Sequence, residues 1–282
     1  RRARKLVAQG ELSDLYEKEG FETRLAKISG ETPKLAVSIW NGVLSGPAIF
    51  RLISCPQLLD VAETIVGPEI IASSVYRLRP KIPNYGYGEV PWHQDSSYFE
   101  PFCDEALVVT MWIPLVDTHK DNGCLWVIPG SHKGKVVQHD LHESGKYLAI
   151  SEDHLADGPW VCCEVPKGGV LLLTNKVMHA SFKNTTEGVR WSMDLRYQSA
   201  ALPTNAPITW LPDELKENIE AGVPAACYPP EADFLVRSRK RPGEVIKTPD
   251  QFDELRRNHR PGTVTNRYGV KWKALEESGL DD

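Results

Sequence analysis

The sequence predicts a mainly β fold of the sandwich, jelly-roll or barrel kind, with helices before it and a covering segment after it. Three observations carry this. Between residues 70 and 200, short runs rich in β-branched, leucine and aromatic residues follow one another, at 70–78, 106–116, 124–128, 161–165, 170–174, 177–182 and 189–197. Turn residues separate them, among them Asn122-Gly123, Pro129-Gly130 and Gly168-Gly169. No helical pattern alternates with the runs, which argues against a parallel βαβ sheet.

The flanking elements follow from spacing. Residues 1–20 set Leu6, Leu12, Leu15 and Tyr16 among many charges, a weakly amphipathic helix. A second helix is expected over 55–66. Ser54 reads as its N-cap, with Gln57 three residues on as in a capping box. Leu58, Leu59, Ala62, Ile65 and Val66 then recur at helical spacing until Gly67. After Ala200 the chain turns Pro-rich, with short helices expected near 212–220 and 249–258 and a basic patch at 237–241 that reads as a solvated face. One domain over 1–282 is expected: a helical layer (1–69), a β core (70–200) and a covering segment (201–282).

Composition narrows the function. With 282 residues, 41% hydrophobic and 25% charged, the chain can bury a sizeable core. A net charge of −5 and a pI of 6.0 argue against nucleic acid or anionic lipid as an obligate partner. No apolar run approaches the ~18 residues of a membrane span. Cys55, Cys103, Cys124, Cys162, Cys163 and Cys227 form no C-x-x-C pair and read as free thiols in a reducing compartment. The chain opens Arg1-Arg2-Ala3-Arg4-Lys5, without a secretory signal pattern and without an initiator Met; a cytoplasmic location is expected.

The strongest local signal is Trp92-His93-Gln94-Asp95. On an extended chain His93 and Asp95 point to one side, because side chains alternate with period two. An imidazole and a carboxylate on one side, completed by a distant His, make a facial set that suits non-haem iron(II) and leaves positions open. Taken alone the motif is weak and equally describes a surface turn. The third ligand is sought among His119, His132, His139, His142, His154, His179 and His259, of which only His179 lies within a β-rich run. Arg190 follows it by eleven residues. If Lys183 pairs with Gly188 around a four-residue loop at 184–187, Ser181 lies opposite Arg190 and His179 opposite Ser192. His179, Ser181 and Arg190 then share a face. A guanidinium grips a carboxylate bidentately and a hydroxyl adds a donor, which is what a chelating keto acid needs. Read singly, Arg190 is a rim ion pair with Glu187 and Ser181 any strand serine; with His93 and Asp95 they form a set.

Those motifs, together with Asn122-Gly123-Cys124-Leu125-Trp126-Val127-Ile128-Pro129-Gly130-Ser131-His132-Lys133-Gly134, resemble the phytanoyl-CoA dioxygenase family over residues 68–198, while 28–50 match poorly. The resemblance implies a double-stranded β-helix (jelly-roll) core with flanking helices. It also implies iron(II), 2-oxoglutarate and O2, and a dioxygenase that hydroxylates a small-molecule substrate with release of succinate and CO2. It assigns His93, Asp95 and His179 to iron and Arg190 and Ser181 to the distal carboxylate of 2-oxoglutarate. Trp112 and Tyr76 fall where the family makes further co-substrate contacts, and the His of the turn at His132 is not a ligand. The presence of Asp95 favours hydroxylation over halogenation, which needs that position vacant. Tyr98, Phe99, Trp40 and Arg79 are the expected substrate-pocket residues. Two other classes fit the ligand set: a zinc or cupin-type metalloenzyme, and a catalytically silent metal-binding scaffold.

Overall fold

The computed structural model describes residues 1–41, 44–73, 76–86, 88–99, 104, 106–144, 147–202 and 233–258. Five helices come first: α1 (Arg2–Ala8), α2 (Arg24–Glu31), α3 (Lys34–Asn41), α4 (Pro47–Ile53) and α5 (Pro56–Val66). Strands follow as β1 (Ile70–Ala72), β2 (Arg77–Lys81), β3 (Val90–His93), β4 (Val108–Pro114), β5 (Leu125–Val127), β6 (Asp140–Leu141), β7 (Leu148–Ala149), β8 (Val161–Cys163), β9 (Leu171–Thr174), β10 (His179–Ser181) and β11 (Arg190–Ser199). Strand β12 (Phe234–Arg237) and helix α6 (Pro249–Asn258) complete the described chain. The protein is mainly β, with antiparallel pairing in every sheet.

Two sheets face each other. The larger runs β12-β1-β11-β4-β9, with β2 joining β1 along the same edge of β11; the smaller runs β3-β10-β5-β8, and β6-β7 is a separate pair. Strand β11 organises the larger sheet because its ten residues alternate strictly. Trp191, Met193, Leu195 and Tyr197 point outward, and Arg190, Ser192, Asp194 and Arg196 point into the space between the sheets. The outward set, with Val109, Met111 and Ile113 of β4, packs on Phe50 and Ile53 of α4, Leu59 and Ala62 of α5, and Phe252 and Leu255 of α6. Each such fully buried apolar side chain contributes about 1.5–3 kcal/mol. Trp191 meets the N-terminal helices through Leu6, Leu25, Ile28 and Ala36. Helices therefore cover the outer face, and the polar inner face is left to the site.

Several expectations are corrected. Helix α5 starts at Pro56 with Cys55 as its cap and no side-chain capping bond, since the ring of Pro56 presets φ for the first helical position. The hydroxyl of Ser54 instead donates 2.7 Å back to the Phe50 carbonyl, closing α4. The helix expected over 1–20 stops at Ala8, two residues before Gly10 at φ 73°. The run 70–78 divides into β1 and β2. The patch at 237–241 is tied to α5: Arg237 reaches Asp60 at 2.8 Å and Glu63 at 2.9 Å, and Arg239 also pairs with Glu63. The helix near 249–258 is α6, whereas 212–220 lies outside the described residues.

The hairpin expected between the runs at 177–182 and 189–197 does not form. Strand β10 lies between β3 and β5 in the smaller sheet, and β11 lies in the larger. The connection crosses between sheets because its polar groups are bonded elsewhere. Asn184 donates to the carbonyls of Lys81 (2.9 Å) and Gly188 (2.7 Å), and the amides of Thr185 and Val189 donate to Asp121 and Glu22 (2.8 Å each). At the smaller-sheet end of this crossover Gly123, at φ +79°, packs against it; a Cβ there would come within 2.5 Å of the Phe182 carbonyl oxygen and 2.6 Å of Lys81 Cδ. Gly123→Ala is therefore expected to lower stability by about 2–4 kcal/mol in urea unfolding. A change below half a kcal/mol, on the scale of an ordinary surface substitution, would remove this contact from the account.

Candidate active site

His93 closes β3 and His179 opens β10, and the two are direct cross-strand partners with ring centroids 4.2 Å apart. Partners in an antiparallel pair share a face, so the rings converge without help from the loops. Gln94 keeps the chain extended (φ −113°, ψ 135°), which turns Asp95, first residue of the 3-10 turn Asp95–Tyr98, to the same side. Asp95 Oδ1 lies 3.8 Å from His93 Nε2 and 3.9 Å from His179 Nε2. All three residues are buried.

The protons decide what this cluster can hold. His93 Nδ1 lies 2.9 Å from the Pro91 carbonyl and His179 Nδ1 lies 3.0 Å from that of Val177. A carbonyl only accepts, so each Nδ1 carries the hydrogen, and in the neutral ring Nε2 presents a lone pair. Burial, reinforced by His179, pushes His93 well below the usual imidazole range and keeps it neutral. Two bare nitrogens and a carboxylate oxygen thus face one another with no hydrogen between them, within 4.8 Å. A cation resolves that arrangement, and two His with one carboxylate is the donor set of non-haem iron(II).

Asp95 is held from the larger sheet. Thr110 of β4 donates 2.7 Å to Oδ2, and Arg196 of β11 donates 3.0 Å from Nε to Oδ2 and 3.0 Å from Nη2 to Oδ1. Burial alone would raise the Asp95 carboxyl, but the Arg196 guanidinium overrides it and holds the group far below the ordinary carboxylate range. The backbone between the ligands is pinned as well. The Gln94 amide donates 3.0 Å to His139 Nε2, its side-chain amide donates to the carbonyls of Lys135 and Lys176, and its Oε1 accepts from Val137 N. Sequence reasoning missed Thr110, Arg196 and His139. A signal existed for Arg196, an arginine in step with Arg190, Ser192 and Asp194 along one otherwise apolar strand.

Arg190 and Ser181 meet, although by a different route from the one expected. They belong to facing sheets and point toward each other, with Arg190 Nη2 3.1 Å from Ser181 Oγ. Ser181 Oγ donates onward to the Gly123 carbonyl at 2.9 Å, and Nη1 of Arg190 donates to Ser192. The guanidinium stacks 5.4 Å from the centre of the Trp112 ring. Its Nε is buried without a hydrogen-bond partner, and among the described residues no carboxylate bonds to the guanidinium, which leaves the group free to meet an oxyanion. Beside it Lys81, fully buried, donates to the carbonyls of Ser181 (2.7 Å) and Phe182, and burial pushes its pKa well below the usual range.

The remaining expectations divide. Tyr98 is brought to the site, its ring 5.7 Å from that of His93 and edge-on. Arg79 shares the inner face, with Nε 3.1 Å from Asp194 and the guanidinium 4.6 Å from the Trp40 ring. Phe99 is buried against Val108 and Tyr98. Tyr76 stands apart from these residues: its ring belongs to the apolar core outside the larger sheet with Phe50 and Phe252, and its hydroxyl donates to the Leu44 carbonyl. The strand that begins at Arg77 turns odd-numbered residues inward, which leaves Tyr76 on the helix side. His132 is exposed in the turn Ser131–Lys133, and His259 lies outside the described residues.

Comparison with known proteins gives this architecture a family. The Phytanoyl-CoA dioxygenase (PhyH) family model matches residues 28–192, and the chain belongs to that family. The match starts well before the point where the motifs begin and includes the segment 28–50 that reads poorly by eye. Rat peroxisomal phytanoyl-CoA dioxygenase is 32% identical over 158 residues, covering 54% of this chain and 46% of the relative. Phytanoyl-CoA dioxygenase domain-containing protein 1 of mouse is 32% identical over 172 residues, covering 58% and 57%. The chain thus spans about half the length of the curated relatives it matches. Among solved structures, EvdO2 from Micromonospora carbonacea var. aurantiaca complexed with 2-oxoglutarate is similar at 24% identity and a TM-score of 0.48, covering 57% of this chain and 66% of that one. Among the described residues no helix is long and apolar enough to cross a membrane.

The Asp95–Arg196 pair generates its own test. Arg196→Met leaves a buried carboxylate with one hydroxyl for company and is expected to cost about 3–5 kcal/mol in denaturant unfolding. Asp95→Asn in the same chain should restore part of that loss. A double-mutant cycle with no coupling would show that the two groups do not hold each other.

Proposed function

We propose that this chain is an iron(II)- and 2-oxoglutarate-dependent dioxygenase that hydroxylates a small-molecule substrate and releases succinate and CO2. One observation carries the reading: a cluster of three buried acceptors on the smaller-sheet side faces the same interior as a buried guanidinium of the larger sheet to which, among the described residues, no carboxylate bonds. A zinc hydrolase or a silent scaffold has use for the first and none for the second. We read the two facing sheets as a jelly-roll core, residues 1–282 as one oxygenase domain, and its compartment as cytoplasmic.

His93, Asp95 and His179 would hold the iron through Nε2, Oδ1 and Nε2, leaving the remaining positions open. Bound there with 2-oxoglutarate and O2, iron supplies the oxidising chemistry that couples loss of CO2 from the keto acid to oxidation of a C–H bond. The chain's own part is orientation and exclusion of water. Arg190 and Ser181 grip the distal carboxylate of the co-substrate, and Trp112 forms the floor under Arg190. Arg196 and Thr110 keep Asp95 ionised with Oδ1 turned to the histidines. The carbonyls of Pro91 and Val177 fix the tautomers, so neither ring turns its N–H toward the metal.

Titration of metal-free protein with Co(II), followed by absorption, should show one site that is lost in His93→Ala and His179→Ala. With iron(II), 2-oxoglutarate and air, the wild type should release succinate even without substrate. Metal binding without any succinate would sink the oxygenase reading in favour of a scaffold. Arg190→Lys keeps the charge but loses the planar fork, so binding of 2-oxoglutarate should weaken by about 1–3 kcal/mol with a smaller fall in kcat. Unchanged affinity in that variant would take Arg190 out of the role.

A further inference from the structure

The inner wall of the larger sheet carries more positive charge than it uses. Four guanidiniums line or border it, those of Arg77, Arg79, Arg190 and Arg196, because the β2 and β11 register places Arg77 opposite Asp194 and Arg79 opposite Ser192 on the inward face. Among the described residues, the carboxylates bonded to them number two. Asp95 belongs to Arg196, and Asp194 belongs to Arg79 through Nε alone. Arg190 is committed to the co-substrate by the reading above. That leaves Arg77, whose hydrogen bond among the described residues goes to the carbonyl of its neighbour Tyr76 at 2.9 Å.

Arg77 is also placed where a ligand can reach it. Arg190 and Arg196 are buried at 2% and 8% exposure, whereas Arg77 and Arg79 keep part of their surface open. Burial, with Arg79, Arg196 and Arg256 close by, pulls the Arg77 guanidinium down to about 9 even though Asp194 pulls the other way, so a further anion beside it would offset the repulsion. Arg256 of α6 adds to this field from behind, its guanidinium 5.2 Å above the Tyr76 ring. Arg79 and Arg196, which crowd Arg77, reach the cluster in turn: Tyr98, edge-on to His93, stands in the combined field of Arg79, Asp95 and Arg196. The positive wall therefore continues from Arg190 past Arg196 to Arg77, a partly exposed guanidinium to which no carboxylate bonds among the described residues.

We propose that Arg77, flanked by Arg79, binds an anionic group of the substrate, a carboxylate or a phosphoryl oxyanion, and so selects acids over neutral molecules. The proposal rests on the oxygenase reading for the word substrate, but the anion site itself does not. Binding is therefore tested first without turnover. Metal-free wild type, Arg77→Gln, Arg77→Lys and Arg190→Gln are titrated by calorimetry with inorganic phosphate, pyrophosphate and hexanoate at constant ionic strength, each variant being checked for folding by circular dichroism. At least one probe should bind wild type at a site that survives in Arg190→Gln and is weakened about 10–100-fold in Arg77→Gln, the loss of one charge-assisted hydrogen bond or two. Arg77→Lys should fall between them, which keeps the test alive if the glutamine variant does not fold. Which probe binds separates carboxylate from phosphoryl recognition. Binding that follows Arg190 instead of Arg77, or no binding of any probe, overturns the proposal. A second arm compares carboxylic acids with their methyl esters as stimulators of succinate release. Stimulation by esters equal to that by acids overturns it too. Anion binding at Arg77 in a protein that makes no succinate would instead count against the oxygenase reading and leave the anion site standing.

Discussion

The ion pair between Asp95 and Arg196 is the interaction on which the rest of the site depends. Asp95 follows a strand of the smaller sheet, Arg196 stands in the middle of the larger, and two hydrogen bonds of 3.0 Å join them across the interior. A buried carboxylate in this position is unfavourable unless its charge is answered. Arg196 answers it from one side while the bare histidine nitrogens leave the other side for a metal. The same contact fixes the separation of the sheets at the point where chemistry would occur. It also explains why β11 tolerates so many polar residues in a fully buried strand, since its outer face alone makes the apolar core with the helices.

Local pattern in the sequence carried the parts of this design that depend on one strand at a time. Period two put His93 and Asp95 on one side, and the extended Gln94 between them preserves that relation into the turn. The β-rich texture of 70–200 and the helix ending at Gly67 are likewise local. Partner choice is another matter. The count that set Ser181 opposite Arg190 assumed that consecutive strands pair, and a short connection looks the same whether it returns along one sheet or crosses to the facing one. The amide of Asn184, bonded to Lys81 and Gly188, decides for crossing, and nothing in the composition of 184–187 announces the distant acceptor. The residues still meet because both point inward, so the contact was right and its cause was not.

Tyr76 and Arg196 show the two directions in which such reasoning fails. Tyr76 was carried over by position alone, and a single step of strand parity puts its ring among Phe50 and Phe252 instead of at the site. Arg196 was passed over because an arginine in a strand reads as an edge or a rim. Only the facing sheet reveals an acid for it. His139 is similar: it lies in a polar stretch of sequence yet is fully buried, where it accepts the amide hydrogen of Gln94 and steadies the segment between His93 and Asp95.

The crossover after β10 has a consequence for what the chain can change. Ordinary surface loops tolerate added residues because closing a longer loop costs little, growing only with the logarithm of its length. The segment from 182 to 189 is held at both ends by groups that must meet, Ser181 in one sheet and Arg190 in the other, and is tied along its length to Lys81, Asp121 and Glu22. It behaves as a spacer of fixed length. One residue more would either reverse the facing of Arg190 or bulge out and break the ties of Asn184 and Thr185. The eleven-residue interval between His179 and Arg190 is thus a ruler, set by the gap between two sheets. Insertions elsewhere can reshape the mouth of the site, but at this interval the chain has no freedom to drift.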